Sequence, residues 1–426
     1  MPETTEIDFR GDAITVVRTL REAGHVAYFA GGCVRDALLG LAPKDYDVAT
    51  DAPPARVREL FRKTQAVGQA FGVILVRIGK SVIEVATFRT DGVYADGRHP
   101  TEVRFTTAEE DAERRDFTIN GLFFDPVDGR VIDFVGGQAD LQNRVLRAIG
   151  DPAKRFAEDH LRMLRAVRFA ARFDLAIEPA TADAITRDAA LLTRISGERI
   201  ADELRRMLTP ATRSRAYRDL WSLGLIGHAL NLRVPAGTSL NEKRSLLLAL
   251  EDADAGFPIA LLFALIDARW HAAGQKHDIL GNLTPAELPK MVSHARRTLK
   301  LSNLETDEMI AAARIGHTLL NAREWPVALL KRSLAHPSSR SMRALLRALS
   351  GTGVASERIQ TIEGKLDAFR NIDCAPSPLL TGDDLVSAGF HPGPAFKKTL
   401  DLVYDAQLED RIGTKDEAMA MARAHL

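Results

Sequence analysis

The stretch from Gly31 to Asp47 constrains this chain more than any other. Val26, Tyr28 and Ala30 alternate ahead of it as a buried strand would, and the strand runs into Gly31-Gly32, after which Val34, Leu38 and Leu39 take up helical spacing. The pattern predicts a strand, a tight turn and a helix. Two residues without side chains let a phosphate approach the N–H groups at the helix start, and Arg35, one turn in, can meet it with charge. After a turn at Pro43 comes Asp45-Tyr46-Asp47-Val48. Residues i and i+2 of a strand share a face, so Asp45 and Asp47 are expected side by side. Carboxylates that close repel one another unless a divalent cation lies between them, which makes both candidate metal ligands. Taken singly, a Gly-Gly turn is commonplace and an Asp-x-Asp is often a solvated strand end. In this order they support one reading, Mg²⁺ held beside a bound triphosphate.

These residues resemble the first motif of the polymerase β-like nucleotidyltransferases. More narrowly, they resemble the class II family of CCA-adding tRNA nucleotidyltransferases and bacterial poly(A) polymerases. The fold class expected is α+β: a nucleotidyltransferase head over residues 1–150 with a small mixed or antiparallel sheet, then an all-helical neck (151–210), body (211–350) and tail (351–426).

A chain of 426 residues is too long for one core, which agrees with several domains. The formal net charge is zero, so affinity for nucleic acid has to come from local patches. Cys33 and Cys374 lie far apart with no metal-ligand spacing, which argues against a disulfide framework or a zinc site and for a reduced, cytoplasmic protein. The first residues, MPETTEIDFRGD, are acidic and lack the apolar core of a secretion signal. No run reaches the roughly eighteen apolar residues of a membrane span, so no membrane partner is expected. No segment points to an obligatory protein partner either.

Along the head, Ile14, Val17 and Leu20 form the stripe of an amphipathic helix from Ile7 to Ala23, and Pro53-Pro54 opens another through Val57, Leu60 and Phe61. Val73–Ile78 and Ser81–Phe88 read as a hairpin turning at Gly79-Lys80. Glu84 shares a face with Val82 and Ala86, opposite Ile83, Val85 and Phe88. One reading is a Glu on a solvated sheet face. The resemblance implies a second, a third carboxylate beside Asp45 and Asp47 that completes the metal site or takes the proton of the attacking hydroxyl. Residues 89–104, RTDGVYADGRHPTEVR, have the composition of a mobile loop around Tyr94; the resemblance implies a role in the final A addition.

In Arg114-Arg115-Asp116-Phe117-Thr118-Ile119-Asn120, Phe117 and Ile119 are expected inside, with the polar groups facing a cleft. An Arg pair beside an acid is commonly a surface salt bridge. RRDFTIN also resembles the family's second motif, which implies that Arg115 grips phosphate while Asp116 and Asn120 bind the ribose hydroxyls, a contact that favours ribonucleotides. Val131–Phe134 and Gly136–Asn143 complete the head as a strand and a helix.

From Pro152 the period changes. PAKRFAEDHLRMLRAVRFAARF predicts one helix begun by Asp151 as N-cap, with Phe156, Leu161, Leu164, Val167 and Phe169 inward. Its other face carries Glu158, Asp159, Arg162, Arg165 and Arg168. One reading is an i,i+4 salt-bridge ladder in which Glu158 pins Arg162. The other is base recognition: a carboxylate accepts from the exocyclic amine of cytosine or adenine, an arginine donates beside it, and guanine and uracil are rejected because they present a carbonyl there. The EDxxR run resembles the family's base-selecting motif, which adds Arg165 and Arg168 as nucleotide contacts. ERIADEL resembles a motif whose helix braces the pocket.

From Pro210 onward AYRDLWSLGLIGHAL, EKRSLLLAL, PIALLFALIDARW, TDEMIAAARIGHTLL, VALLKRSL and SMRALLRAL read as helices. Lys290, Arg296, Arg297, Lys300, Lys331, Arg332, Arg340, Arg343 and Arg347 cluster there, as solvated faces or as phosphate contacts for RNA. His277-Asp278 has the form of a metal phosphohydrolase pair, but the remaining ligands are not evident. The resemblance implies Mg²⁺-dependent addition of C, C and A to the tRNA 3′ end from CTP and ATP. The rivals are a poly(A) polymerase, a CC-only or A-only enzyme, a non-catalytic RNA binder and a small-molecule nucleotidyltransferase. Val67-Gly68 is followed by Gln69-Ala70-Phe71 rather than the consecutive basic residues of the polymerases, which favours CCA addition.

Overall fold

The structure, a computed structural model, describes residues 9–67, 72–91, 103–250, 255–274 and 279–426. They form two compact units, Met1–Glu203 with Ser222–Ala229 and Leu204–Trp221 with Leu230–Leu426. The Tyr94 loop, Gly68 to Phe71 and His277-Asp278 lie outside the described residues.

The first unit opens with α1 (Phe9–Glu22), whose Ala13, Val16, Val17 and Leu20 are fully buried. Its strands are β1 (Ala27–Ala30), β2 (Val48–Thr50), β3 (Thr64–Ala66), β4 (Val73–Ile78), β5 (Ser81–Thr87), β6 (Arg89–Asp91), β7 (Val103–Phe105), β8 (Phe123–Asp125), β9 (Arg130–Ile132), and a short parallel pair, β10 (Val145–Leu146) and β11 (Ala176–Ile177), the last falling within the neck expected to be all-helical. Seven make one mixed sheet in the order β3-β4-β5-β2-β1-β8-β9, in which β2 and β5 run parallel and the other neighbours antiparallel, while β6 and β7 pair separately. The hairpin at Gly79-Lys80 is where the sequence puts it. β1 differs from expectation in its faces: Val26 is 39% exposed, whereas Ala27 and Phe29 are buried. The strand is central and covered on both sides, Tyr28 by Phe88 and Phe123 at 6.3 and 6.2 Å, Phe29 by Tyr46 at 5.1 Å.

Between the strands lie α2 (Gly32–Leu38), α3 (Pro54–Leu60), α4 (Ala108–Glu113) and α5 (Gly137–Gln142). Phe117 and Ile119 are fully buried, and Thr118–Asn120 makes one 3₁₀ turn. A Cβ at Gly137 would stand 2.2 Å from the carbonyl oxygen of Thr118, so α5 presses backbone to backbone on that turn. Thr118 Oγ1 also donates to Asp140 at 2.7 Å.

The neck is not one helix. α6 (Pro152–Glu158) begins with Asp151 accepting from the Ala153 N–H at 2.9 Å and stops at Asp159, which is extended at φ −147°, ψ 105°. α7 (Arg162–Phe173) follows. The interruption has a local cause: the Asp159 side chain accepts from the Leu161 N–H at 3.0 Å, a bond that competes with the helical ladder. α8 (Pro179–Asp188) and α9 (Gly197–Met207) come next.

The second unit holds only helices and turns among its described residues. They are α10 (Arg213–Ser222), then, after the one-turn α11 (Ile226–Ala229) of the first unit, α12 (Phe257–Ala272), α13 (Leu288–Leu299), α14 (Asn303–Asn321), α15 (Val327–Ala335), α16 (Ser339–Gly351), α17 (Ser356–Asp367), α18 (Gly382–Ser387), α19 (Pro394–Leu408) and α20 (Lys415–Arg423). EKRSLLLAL, expected as a helix, is a 3₁₀ turn over Glu242–Arg244 followed by turns. The N–H groups of Leu246 and Leu247 and the Ser245 hydroxyl donate to the buried Asp267 carboxylate at 2.9, 3.2 and 2.7 Å, so a side chain on α12 takes the bonds a helix needs. No helix among the described residues is long and apolar enough to cross a membrane.

Candidate active site

A cleft of about 580 Å³ in the first unit is bordered by the β1–α2 turn, the approach to β2, the open face of β5, the Arg114–Asn120 segment and the neck. That volume lies within the roughly 300–1,000 Å³ of small-molecule sites. Among the described residues nine arginines and four acids line it, the acids being Asp47, Glu84, Asp116 and Asp159.

At the turn, Gly31 has φ +68°, and a Cβ there would stand 2.9 Å from Arg115 Nη1. The positive φ calls for glycine, and a larger residue would also displace the tip of Arg115. Gly32 opens α2 beside it. Arg115 is anchored by Asp111, which accepts from Nε and Nη2 at 3.2 and 2.8 Å, and by the Asn120 carbonyl at 3.1 Å.

Asp45 and Asp47 precede β2 rather than standing within it, since the strand begins at Val48. The Asp47 carbonyl still accepts from the Ala30 N–H at 3.0 Å, and this fixes the approach. Asp45 is exposed and Asp47 half-buried. Burial, then the charges of Glu84 and Asp45, push the Asp47 carboxyl up to about 7 against the pull of Arg115. Glu84, on the open face of β5, is raised by burial and by Asp45. Hard oxygen donors in mutual repulsion are a donor set suited to a divalent cation. Among the described residues no three His, Cys, Asp or Glu side chains gather closely enough to cage an ion. A cation held by one or two carboxylates takes its other ligands from phosphate and water.

The floor is a continuous polar chain. Arg165 donates to Asp116 Oδ2 through Nε and Nη2 at 2.8 and 2.6 Å; Asp116 Oδ1 accepts from Asn120 Nδ2 at 2.9 Å; Asn120 Oδ1 accepts from Arg35, and Arg35 donates to Asp36. Burial alone would raise the Asp116 carboxyl, but Arg165, Asn120 and Arg162 hold it down to about 2.

At the neck, Glu158 and the Arg155 carbonyl accept from Arg162 Nη1, the carbonyl at 2.9 Å. Glu158 is outside the cleft lining while Asp159 and Arg162 are in it. Because α6 ends before Asp159, its carboxylate is free of the helical register: one oxygen caps Leu161 and the other accepts from Arg199 Nη2 at 2.7 Å. Arg199, on α9, is a cleft residue within the ERIADEL run, whose helix the sequence reading expects to brace the pocket without naming Arg199 itself. Its bond to Asp159, 40 positions away, places it at the cleft. Arg168 borders the cleft but is buried, with Nε on Glu203 at 2.6 Å, a brace between α7 and α9.

Residues 27–147 match the family described as Poly A polymerase head domain, and 174–232 match the one described as a probable RNA and SrmB-binding site of polymerase A. The CCA-adding enzyme of Lacticaseibacillus paracasei is 44% identical over 228 residues, which is 53% of this chain and 57% of that protein. Poly(A) polymerase I of Salmonella typhi is also 44% identical, over 50% of this chain and 48% of its own. The head and neck are thus similar to those of CCA-adding enzymes and bacterial poly(A) polymerases alike. The chain's matches span about half the length of these curated relatives. The fold neighbour is longer in extent: the Bacillus stearothermophilus CCA-adding enzyme in complex with CTP has a TM-score of 0.73 at 28% identity, covering 98% of this chain and 99% of that one. Enzymes of this family use a divalent metal.

Proposed function

We propose that this protein adds CCA to the 3′ end of tRNA from CTP and ATP with release of pyrophosphate, working in the cytoplasm with Mg²⁺ and without an obligatory protein partner. The observation that carries the reading is that a single cleft holds both the acid edge, Asp47 and Glu84, and the base-reading pair, Asp159 and Arg162. Asp47 and Asp159 stand 112 positions apart in sequence.

Asp45 and Asp47 would hold the ion. Magnesium, a hard cation, would suit a site of two carboxylates. When bound, it supplies positive charge that polarises the α-phosphate and acidifies the attacking hydroxyl. The chain's own residues do the rest. Gly31 and Gly32 let the triphosphate come close to backbone, and Arg115 stands against that turn. The terminal 3′-oxygen of the tRNA forms the new bond to the α-phosphorus as the bond to the bridging oxygen of pyrophosphate breaks. Glu84 faces the same cleft as either a further metal ligand or the acceptor of the hydroxyl proton. Asp116 and Asn120, held rigid by Arg165 and Arg35, present a polar edge to the ribose. Asp159 accepts from the amine of cytosine or adenine, and Arg162, pinned by Glu158, donates beside it. Uracil and guanine bring a carbonyl to Asp159 and are rejected. The body (211–350) and tail (351–426) would carry the rest of the tRNA.

The Salmonella relative, equally identical, keeps poly(A) addition as the second reading. One experiment separates them: the purified protein is given a tRNA lacking its 3′ CCA, or an oligo(A) primer, with CTP and ATP singly and together, and the products are sequenced. CCA on the tRNA and no extension of oligo(A) is the expected result. A homopolymer of A on either primer overturns it.

A further inference from the structure

We infer that Arg172 grips the outer phosphates of the incoming nucleotide's triphosphate. The inference rests on the reading of the cleft as a nucleotide site. It starts from Arg35, to which the sequence assigns this task. Arg35 is 5% exposed and occupied on every side. Its Nε and Nη2 donate to Asp36 Oδ1 at 2.8 and 2.5 Å, its Nη1 donates to Asn120 Oδ1, and its guanidinium lies 4.4 Å from the Phe173 ring centre and 5.2 Å from that of Phe169. An arginine in that position shapes the turn. To reach a ligand it has to abandon the carboxylate beneath it.

Arg172, in the last turn of α7, borders the same cleft with 43% of its side chain exposed. It reaches Asp36 through one bond, Nη2 to Oδ2 at 3.3 Å. Charge-assisted bonds of this kind are ordinarily about 2.7–2.9 Å. The carboxylate it reaches is already claimed by Arg35, so two guanidinium groups share one negative charge. One positive charge is left over in the cleft that Gly31 and Gly32 also border. Burial first, and the proximity of Arg172 as well, lower the pKa of Arg35, which shows that the two cations feel one another. The Phe173 ring, 4.8 Å from the Arg172 guanidinium carbon, supports the arm from one side. A planar fork with an exposed edge and a weak, shared counter-ion suits a phosphate, which relieves the repulsion between the two arginines and gives Arg172 two oxygens in place of one distant one.

The test is calorimetric titration of the full chain with CTP, with inorganic pyrophosphate and with CMP, none of which requires turnover. In Arg172→Gln, affinity for CTP and for pyrophosphate is expected to fall about tenfold while CMP binding stays within about twofold. Arg172→Lys, which keeps the charge and loses the fork, is expected to lie between. Unchanged CTP and pyrophosphate affinity, even with a lowered melting temperature, overturns the inference and leaves Arg172 as a partner of Asp36 alone. An equal loss for CMP overturns it too, since CMP carries no outer phosphates. Binding is measured apart from product, so a wild-type protein that fails to make CCA ends the functional proposal without touching this one.

Discussion

Two carboxyl groups, one in the cleft and one inside the helical unit, are both pushed up in pKa, and they differ in how the surroundings respond. Asp267, 1% exposed on α12, is raised by burial from the ordinary 3.8 to about 6, but Ser245, Leu246, Leu247 and Tyr217 all donate to it. Its need is met within the fold. Asp47 reaches about 7 through burial and two further carboxylates, Glu84 and Asp45, with Arg115 the opposing charge. On the proposed reading, a cation from outside would meet its need. The basic residues show no such contrast. Lys331 is buried on the Leu408 carbonyl at 2.6 Å, Arg332 pairs with Asp405, and Arg343 with Glu363 and Asp367; in the cleft too, Arg35, Arg115, Arg162 and Arg168 are held by Asp36, Asp111, Glu158 and Glu203. A carboxyl raised by neighbouring carboxylates, more than the number of charged residues, is what distinguishes the cleft.

The largest expected effect is on the acid edge. Asp47→Asn should lower nucleotide incorporation by about a thousandfold while tRNA retention on filters stays nearly unchanged; wild-type turnover would make Asp47 another Asp267. The next is on stability. Asp267 holds its proton to higher pH in the folded state than in the unfolded one, so the folded state is favoured at low pH and loses about 3 kcal/mol as pH rises from about 4 to about 6. His271 on the same helix, its pKa lowered by burial, works in the opposite direction. The difference in denaturant midpoint between wild type and Asp267→Asn across that range isolates the Asp267 contribution, and a constant difference would refute it.

Smaller still is selectivity. Arg162→Ala should cut the preference for CTP and ATP over UTP and GTP by about tenfold, read as misincorporation by sequencing. Arg199→Ala should cut it less, by loosening Asp159. A change in melting temperature with selectivity intact would make Arg162 a structural residue like Arg343. The smallest effect is expected of Arg343→Ala, with stability lowered by less than about 1 kcal/mol and tRNA affinity within about twofold, because its charge is already spent on Glu363 and Asp367.

Local pattern made the sheet, the hairpin and the helical second half legible. The Gly31-Gly32 turn, the RRDFTIN burial and the Asp151-Pro152 helix start are all set by neighbours in sequence. What the pattern missed was decided by side chains competing for backbone. Asp159 breaks the neck helix by taking the Leu161 N–H, and Asp267 keeps EKRSLLLAL from coiling by taking two amides from 20 and 21 positions away. Spacing gives no sign of either. Nor does it show that Arg35 is bonded to the adjacent Asp36, which reads in sequence as one more surface acid.

Gly137 is not among the residues that border the cleft, yet a Cβ there would run into the Thr118 carbonyl, two positions from both Asp116 and Asn120. Screens of random variants should therefore report a dead enzyme from a spot on the far side of the pocket wall. The loss there would come from a floor pushed forward by one methyl group, with every chemical group still present and none in its place.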